Sequence, residues 1–122
     1  MIIGIGTDIV EVNRIMTACE KKRFLHKYFS EAERQIFQIK SKSVAGNFAV
    51  KEAVSKMLGT GFRGFGPIDI EVLRDSSGKP YVILHNEANN LANNLGIDNI
   101  HVSITDTNDY AVAFVVGESN LK

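Results

Sequence analysis

Apolar and polar residues recur at two periods along the chain, and the changes of period divide it into elements. From Met1 to Asp8, Ile3, Ile5 and Thr7 fall on one side of an extended segment, with Ile2, Gly4, Gly6 and Asp8 on the other, which predicts a strand. The interior glycines keep that second side low, a sign that a packed element or a ligand approaches the backbone there. Asp8 is expected to end the strand, open either to a ligand or to capping the next helix. Val12, Ile15, Met16 and Cys19 switch to helical spacing, with Glu11, Arg14 and Glu20 on the opposite side. The basic run Lys21-Lys22-Arg23 and then Phe24 follow. Ser30 and Glu33 have the spacing of a capping box, so a short helix is predicted from Glu31 to about Ile39, carrying Ile36 and Phe37 inward. Beyond a polar break, with Ser43 as the expected cap, Val50, Ala53, Val54 and Met57 recur on one side of a longer helix that runs to Leu58 and stops at Gly59.

In the second half, Ile68, Ile70 and Val72 alternate with polar residues, Asp75-Ser76-Ser77-Gly78 turns, and Pro80 to Leu84 returns as a hairpin. Asn86 is the expected cap of a helix through Ala88, Leu91, Ala92 and Leu95, ended by Gly96. Ile100 to Thr105 and Tyr110 to Val116 form a second hairpin. Ala111 to Val116 is apolar at every position, so both faces of that strand are expected to be covered, one by the long helix and the other with help from a subunit interface. The fold class is therefore α+β, an antiparallel sheet packed on a long helix, in a single domain spanning 1–122.

Composition narrows the function. A chain of 122 residues can bury about two thirds of its unfolded surface without disulfides. Fourteen basic and fourteen acidic side chains balance, which argues against a general electrostatic grip on nucleic acid. Cys19 is the only cysteine and reads as a reduced, partly buried thiol. The N-terminus has no basic flank and is too short for a signal peptide or a membrane span, so a cytoplasmic location is expected. His26, His85 and His101 lack mutual metal-ligand spacing, and neither Gly-x-Ser-x-Gly nor Cys-x-x-Cys occurs, which argues against zinc sites and hydrolase triads. Gly4-Ile5-Gly6 lacks the third glycine of a dinucleotide fingerprint.

The candidate chemistry lies on the long helix. Phe48, Glu52 and Lys56 are successive i, i+4 neighbours, lining up an aromatic ring, a carboxylate and an ammonium group. Glu before Lys at that spacing is also an ordinary surface ion pair worth about 0.2–0.5 kcal/mol. Two further features point to function. The loop from Gly59 to Pro67, with glycines at 59, 61, 64 and 66, could cradle phosphates on its backbone amides, and Asp8 supplies a second carboxylate.

Gly4-Ile5-Gly6-Thr7-Asp8-Ile9-Val10-Glu11 with Arg14, then Phe48-Ala49-Val50-Lys51-Glu52-Ala53-Val54-Ser55-Lys56, Gly59-Thr60-Gly61 and His101-Val102-Ser103-Ile104-Thr105 form an ordered set. Together with Gly78-Lys79-Pro80 it closely resembles the small bacterial holo-[acyl-carrier-protein] synthases of the 4'-phosphopantetheinyl transferase superfamily, over essentially the whole chain. The resemblance implies a homotrimer with sites between subunits and transfer of phosphopantetheine from coenzyme A to a serine of apo acyl carrier protein. It also implies release of adenosine 3',5'-bisphosphate and a place in fatty acid biosynthesis. It maps the Mg2+ carboxylates onto Asp8 and Glu52, a phosphate-binding lysine onto Lys56 and an active-site histidine onto His101. Glu52, Lys56 and His101 are thus the expected catalytic residues. Lys51, Gly59, Thr60, Gly61 and Arg63 join Lys56 and His101 as expected coenzyme A contacts. Because acyl carrier proteins are acidic, Arg14, Lys21, Lys22, Arg23 and Phe24 are the expected docking residues. Two positions depart from the family pattern: Asn47 stands where many relatives have arginine, and Asp106 where many have histidine. The first removes one expected positive contact to coenzyme A, for which Arg63 could compensate. A magnesium-dependent nucleotide pyrophosphatase and a non-catalytic carrier-binding module are the competing readings.

Overall fold

The structure, a computed structural model, describes residues 1–121. In order the chain forms β1 (Ile2–Glu11), α1 (Val12–Ala18), α2 (Lys22–Tyr28), α3 (Glu31–Ile39), α4 (Ser43–Met57), a 3-10 turn (Pro67–Asp69), β2 (Ile70–Arg74), β3 (Pro80–Leu84), α5 (Asn86–Leu95), β4 (Asn99–Asp106) and β5 (Tyr110–Glu118). Strands β1, β5 and β4 make an antiparallel sheet in that order, and β2 and β3 pair as a separate hairpin. This is the α+β architecture the periodicity predicts.

Helix α4 is the spine. Ala49, Val50, Ala53, Val54 and Met57 are buried along it, packed with Val115 and Ala113 of β5, Ile70 and Val72 of β2, and Ala88 and Ala92 of α5. The low side of β1 is what lets the helix so close. A side-chain carbon at Gly4 would collide with the Met57 carbonyl, and one at Gly6 with the Ala53 carbonyl. Helix backbone therefore lies directly on strand backbone, the close approach that strand glycines signal. A second apolar cluster gathers α1, α2 and α3 around Ile15, Phe29 and Phe37.

The boundaries shift in informative ways. β1 extends to Glu11, so Asp8 lies inside the strand, opposite Ala113, and caps nothing. Ladder bonds to β5 continue to Tyr110 and outweigh the local preference of Asp8 for a cap. The Ser30–Glu33 capping box forms as predicted, the Ser30 Oγ accepting from the Glu33 amide at 3.2 Å and Glu33 Oε1 from the Ser30 amide at 3.1 Å. Ser43 does not cap α4: Lys42 holds that position, with no side-chain cap bond. Likewise His85, not Asn86, precedes α5, and Asn86 is its first residue with φ +53°. Helix α2 was not expected, and Ile68 falls in the 3-10 turn rather than in the hairpin.

On β5, Ala111, Ala113, Val115 and Gly117 face α4 and are buried, while Tyr110 and Phe114 on the other face are exposed. The register puts Ile5 and Ile9 on that outer face too, Ile9 with 62% of its surface exposed. Within one chain, only one face of the apolar strand is covered.

Candidate active site

Because α4 lies on β1 at Gly4 and Gly6, the next inward position of the strand, Asp8, comes beside the next turn of the helix. There Asp8 and Glu52 line one cleft of about 590 Å³, together with Arg14, Phe24, Tyr28, Phe48 and Tyr110. Two distant stretches of sequence thus place two carboxylates together. Their proximity registers in the titration of Glu52: burial raises its pKa, the Asp8 charge raises it further, and Lys56 opposes both. Lys56 Nζ sits 3.1 Å from Asp8 Oδ1 and donates to the Thr7 carbonyl at 2.9 Å. The lysine is 55% exposed and the aspartate 17%, so the ammonium is free to turn toward an arriving anion.

The aromatic wall of the cleft extends what the i, i+4 alignment of Phe48 with Glu52 foresaw. Phe24 stacks on Tyr28 at 4.3 Å between centroids, and Tyr28 on Phe48 at 5.5 Å. Tyr28 and Tyr110 were not anticipated; recognising Phe24 and Tyr28 as an i, i+4 pair would have revealed both α2 and this wall. Arg14 lies in the cleft lining, and Lys21, Lys22 and Arg23 are exposed around the start of α2. Of the expected docking residues, Arg14 and Phe24 line the same cleft as the carboxylates.

The glycine loop begins three residues after Lys56. Gly59, Gly61 and Gly64 have positive φ, between +63° and +82°, where a side chain would strain the backbone. The Thr60 hydroxyl donates to the Gly61 carbonyl at 2.9 Å, and Arg63 is exposed. The loop is anchored by buried Phe65, in edge contact with Phe62.

Three expectations are corrected or redirected. Lys51 is not a phosphate neighbour: it is 1% exposed and ion-paired with Glu33 Oε1 at 2.7 Å, and it donates to the Pro67 carbonyl at 3.0 Å and to the Ile70 carbonyl. Burial pushes Lys51 down and Glu33 up, each toward its neutral form, and their mutual attraction opposes both shifts. Asn47 does not face the cleft either. It is fully buried, donating to Glu33 Oε2 and to the Val72 carbonyl, each at 3.0 Å, so its departure from the family arginine alters an interior contact rather than a cleft contact. His101 lies on the outer face of the sheet, 61% exposed and 3.0 Å from Glu118 Oε1, away from its own chain's Asp8 and Glu52. Cys19 is partly buried as expected, and burial raises its thiol to about 11.

Among the described residues, no group of three or more His, Cys, Asp or Glu side chains could hold a metal ion. Two carboxylates in a cleft fit a hard, partly hydrated cation such as Mg2+, which draws its other ligands from water and phosphate, and do not fit zinc.

The profile of the 4'-phosphopantetheinyl transferase superfamily matches residues 4–115. The chain belongs to that superfamily. A holo-[acyl-carrier-protein] synthase of Lachnoclostridium phytofermentans is 52% identical over 118 residues, 97% of each chain. Among solved structures, the holo-[acyl-carrier-protein] synthase of Neisseria meningitidis superposes with a TM-score of 0.88 at 34% identity, covering 98% of this chain and all of that one. The Bacillus anthracis holo-(acyl-carrier-protein) synthase, solved in complex with CoA (3',5'-ADP), gives a TM-score of 0.81 at 37% identity, covering 98% of this chain and 99% of that one. As a member of the 4'-phosphopantetheinyl transferases the chain is an enzyme, and the cleft between β1 and α4 is its candidate active site. No helix among the described residues is long and apolar enough to cross a membrane.

Proposed function

We propose that this chain transfers the 4'-phosphopantetheine of coenzyme A to a serine of apo acyl carrier protein, using Mg2+ held by Asp8 and Glu52. The observation that carries the reading is the meeting of those two carboxylates in one cleft with Lys56 beside them. The ion supplies charge neutralisation on the diphosphate and makes the bisphosphate a better leaving group. The serine oxygen bonds to the phosphorus bearing pantetheine, the bond from that phosphorus to the bridging oxygen breaks, and adenosine 3',5'-bisphosphate departs. Glu52 or a water beside it takes the serine proton. Lys56, released from Asp8, meets the negative charge gathering on the leaving phosphate. Gly59, Thr60, Gly61 and Arg63 hold the coenzyme, and Arg14, Lys21, Lys22, Arg23 and Phe24 receive the acidic carrier. The single transferase domain acts in the cytoplasm, in fatty acid biosynthesis.

The working unit in this reading is a homotrimer. Support comes from the uncovered outer face of the sheet, where Ile5, Ile9, Tyr110 and Phe114 are exposed. His101 lies on the same face and so reaches a cleft only across an interface, the cleft being a neighbour's. The test is intact-mass spectrometry of apo acyl carrier protein incubated with the enzyme, coenzyme A and Mg2+. Gain of one phosphopantetheine is expected. Release of free 4'-phosphopantetheine without any carrier would instead make it a pyrophosphatase, and carrier binding indifferent to EDTA with no mass gain would make it a binding module.

A further inference from the structure

The hydrogen bonds of Lys51 tie together parts of the chain that the proposed chemistry needs in register. Its ammonium group has three N–H donors, and each has an acceptor: Glu33 Oε1 on α3, the Pro67 carbonyl and the Ile70 carbonyl. Pro67 is where the glycine loop ends. The loop's other stem is tied to the same helix, the Gly59 amide donating to the Lys56 carbonyl at 3.0 Å and the Gly61 amide to the Ser55 carbonyl at 3.3 Å. Both stems are therefore fastened within two turns of α4, and Lys51 makes the far fastening. The residue after it in sequence is Glu52, which faces the cleft, so one turn of helix presents the catalytic carboxylate on one side and the loop's anchor on another.

Glu33 is held equally firmly. It accepts from the Ser30 amide, from Asn47 and from Lys51, and Lys51 is its only cation within ion-pair distance among the described residues. Asn47 Oδ1 has no partner among the described residues, so the neutral amide beside Glu33 brings no second positive charge. Beside the anchor at buried Phe65 and the Gly66–Asp69 bonds, the direct tie of the loop's far stem to α4 is that one ammonium.

We propose that Lys51 is a positioning residue. It never touches coenzyme A, but it fixes the far stem of the 59–67 loop against α4, so that the loop amides hold one shape beside Lys56 for the coenzyme's diphosphate. The inference rests on the proposed transferase reading for the identity of the ligand. A direct phosphate contact is incompatible with a side chain 1% exposed whose three donors are all engaged.

The decisive variant is the double substitution Glu33→Gln/Lys51→Met. It removes both buried charges together, and the introduced amide oxygen can still accept from the Ser30 amide as Glu33 Oε1 does, so that no unpaired ion destabilises the fold. Lys51→Arg is the conservative companion, keeping the charge and the donors. Two measurements are made on each: hydrogen exchange of the loop amides without ligand, and calorimetric titration with coenzyme A and Mg2+. In the double variant the amides of 61–66 are expected to exchange about tenfold faster or more while those of the α4 interior do not change, a sign of local opening. Its coenzyme A affinity is expected to fall about tenfold, as it does when binding must order a mobile segment. Lys51→Arg is expected to restore most of both. Loop exchange and affinity within twofold of the parent in the double variant would overturn the proposal. So would lost affinity with unchanged loop exchange, which would mean a direct contact. If the parent itself fails to bind coenzyme A, the transferase reading falls, and the exchange measurement still decides whether Lys51 holds the loop.

Discussion

Lys51 and Glu52 are adjacent in the sequence and occupy opposite physical situations. Glu52 faces a cleft, half-buried, next to a second carboxylate and, among the described residues, without a cation of its own at ion-pair distance. Lys51 faces the interior with every donor satisfied by a partner that is itself held. One charge is placed where it is uncomfortable, and the other where the surroundings are built around it. Such unrelieved charge belongs to a site that waits for a cation, whereas a fully partnered buried pair fixes one arrangement of the elements around it.

The contrast can be broken most decisively at the cleft. Glu52→Gln is expected to lower carrier modification about a thousandfold, equivalent to about 4 kcal/mol of transition-state stabilisation, measured by the rate of mass gain. The same substitution is expected to leave the melting temperature at neutral pH equal to or slightly above that of the parent. The sign follows from titration. Burial and the Asp8 charge raise the Glu52 pKa above its unfolded value, so this group favours the fold at acid pH and opposes it once pH rises through the folded-state pKa. A melting temperature that falls instead would mean that Glu52 is a structural residue like its neighbour.

At the interior pair the expected effect lies on stability. Lys51→Met alone strands a buried carboxylate and two carbonyls, and should cost about 3–5 kcal/mol in urea unfolding. A loss under about 1 kcal/mol, the size of an ordinary surface ion pair, would show the pair to be dispensable and remove the contrast. The smallest effect sharpens the division of labour on the cleft's rim: Arg14→Glu is expected to weaken carrier binding about tenfold, or about 1.4 kcal/mol, through charge complementarity, with coenzyme A binding unchanged in calorimetry. Equal loss of both would refute that division.

These environments were legible to different degrees. Val50, Ala53, Val54 and Met57 announced α4 by their spacing, and the Ser30–Glu33 capping box announced α3, because both patterns are local consequences of helix geometry. The glycines of β1 announced that something lies against it, and helix α4 does. Neither the burial of Lys51 nor the placement of His101 could be read in this way. Helical spacing registers residue type rather than surroundings, and Lys51, expected to contact coenzyme A, is enclosed only because α3, β2 and the 3-10 turn converge on it. His101 falls on the outer face because β4 pairs with β5 in a register that points it away from α4. Similarly, the choice between a cap and a ligand role for Asp8 stayed open until β5 extended the strand past it.

The amino-acid sequence by itself determined most of the elements, α2 excepted, and the apolar residues of α4 that enter the core, since these follow from interactions within a few residues of each other. Tertiary structure alone decided which of two neighbouring charges would face solvent and which would be enclosed. It also decided that Asp8 and Glu52, 44 positions apart, would share a cleft. Both outcomes depend on how separate elements pack, and packing is a property of the assembled chain.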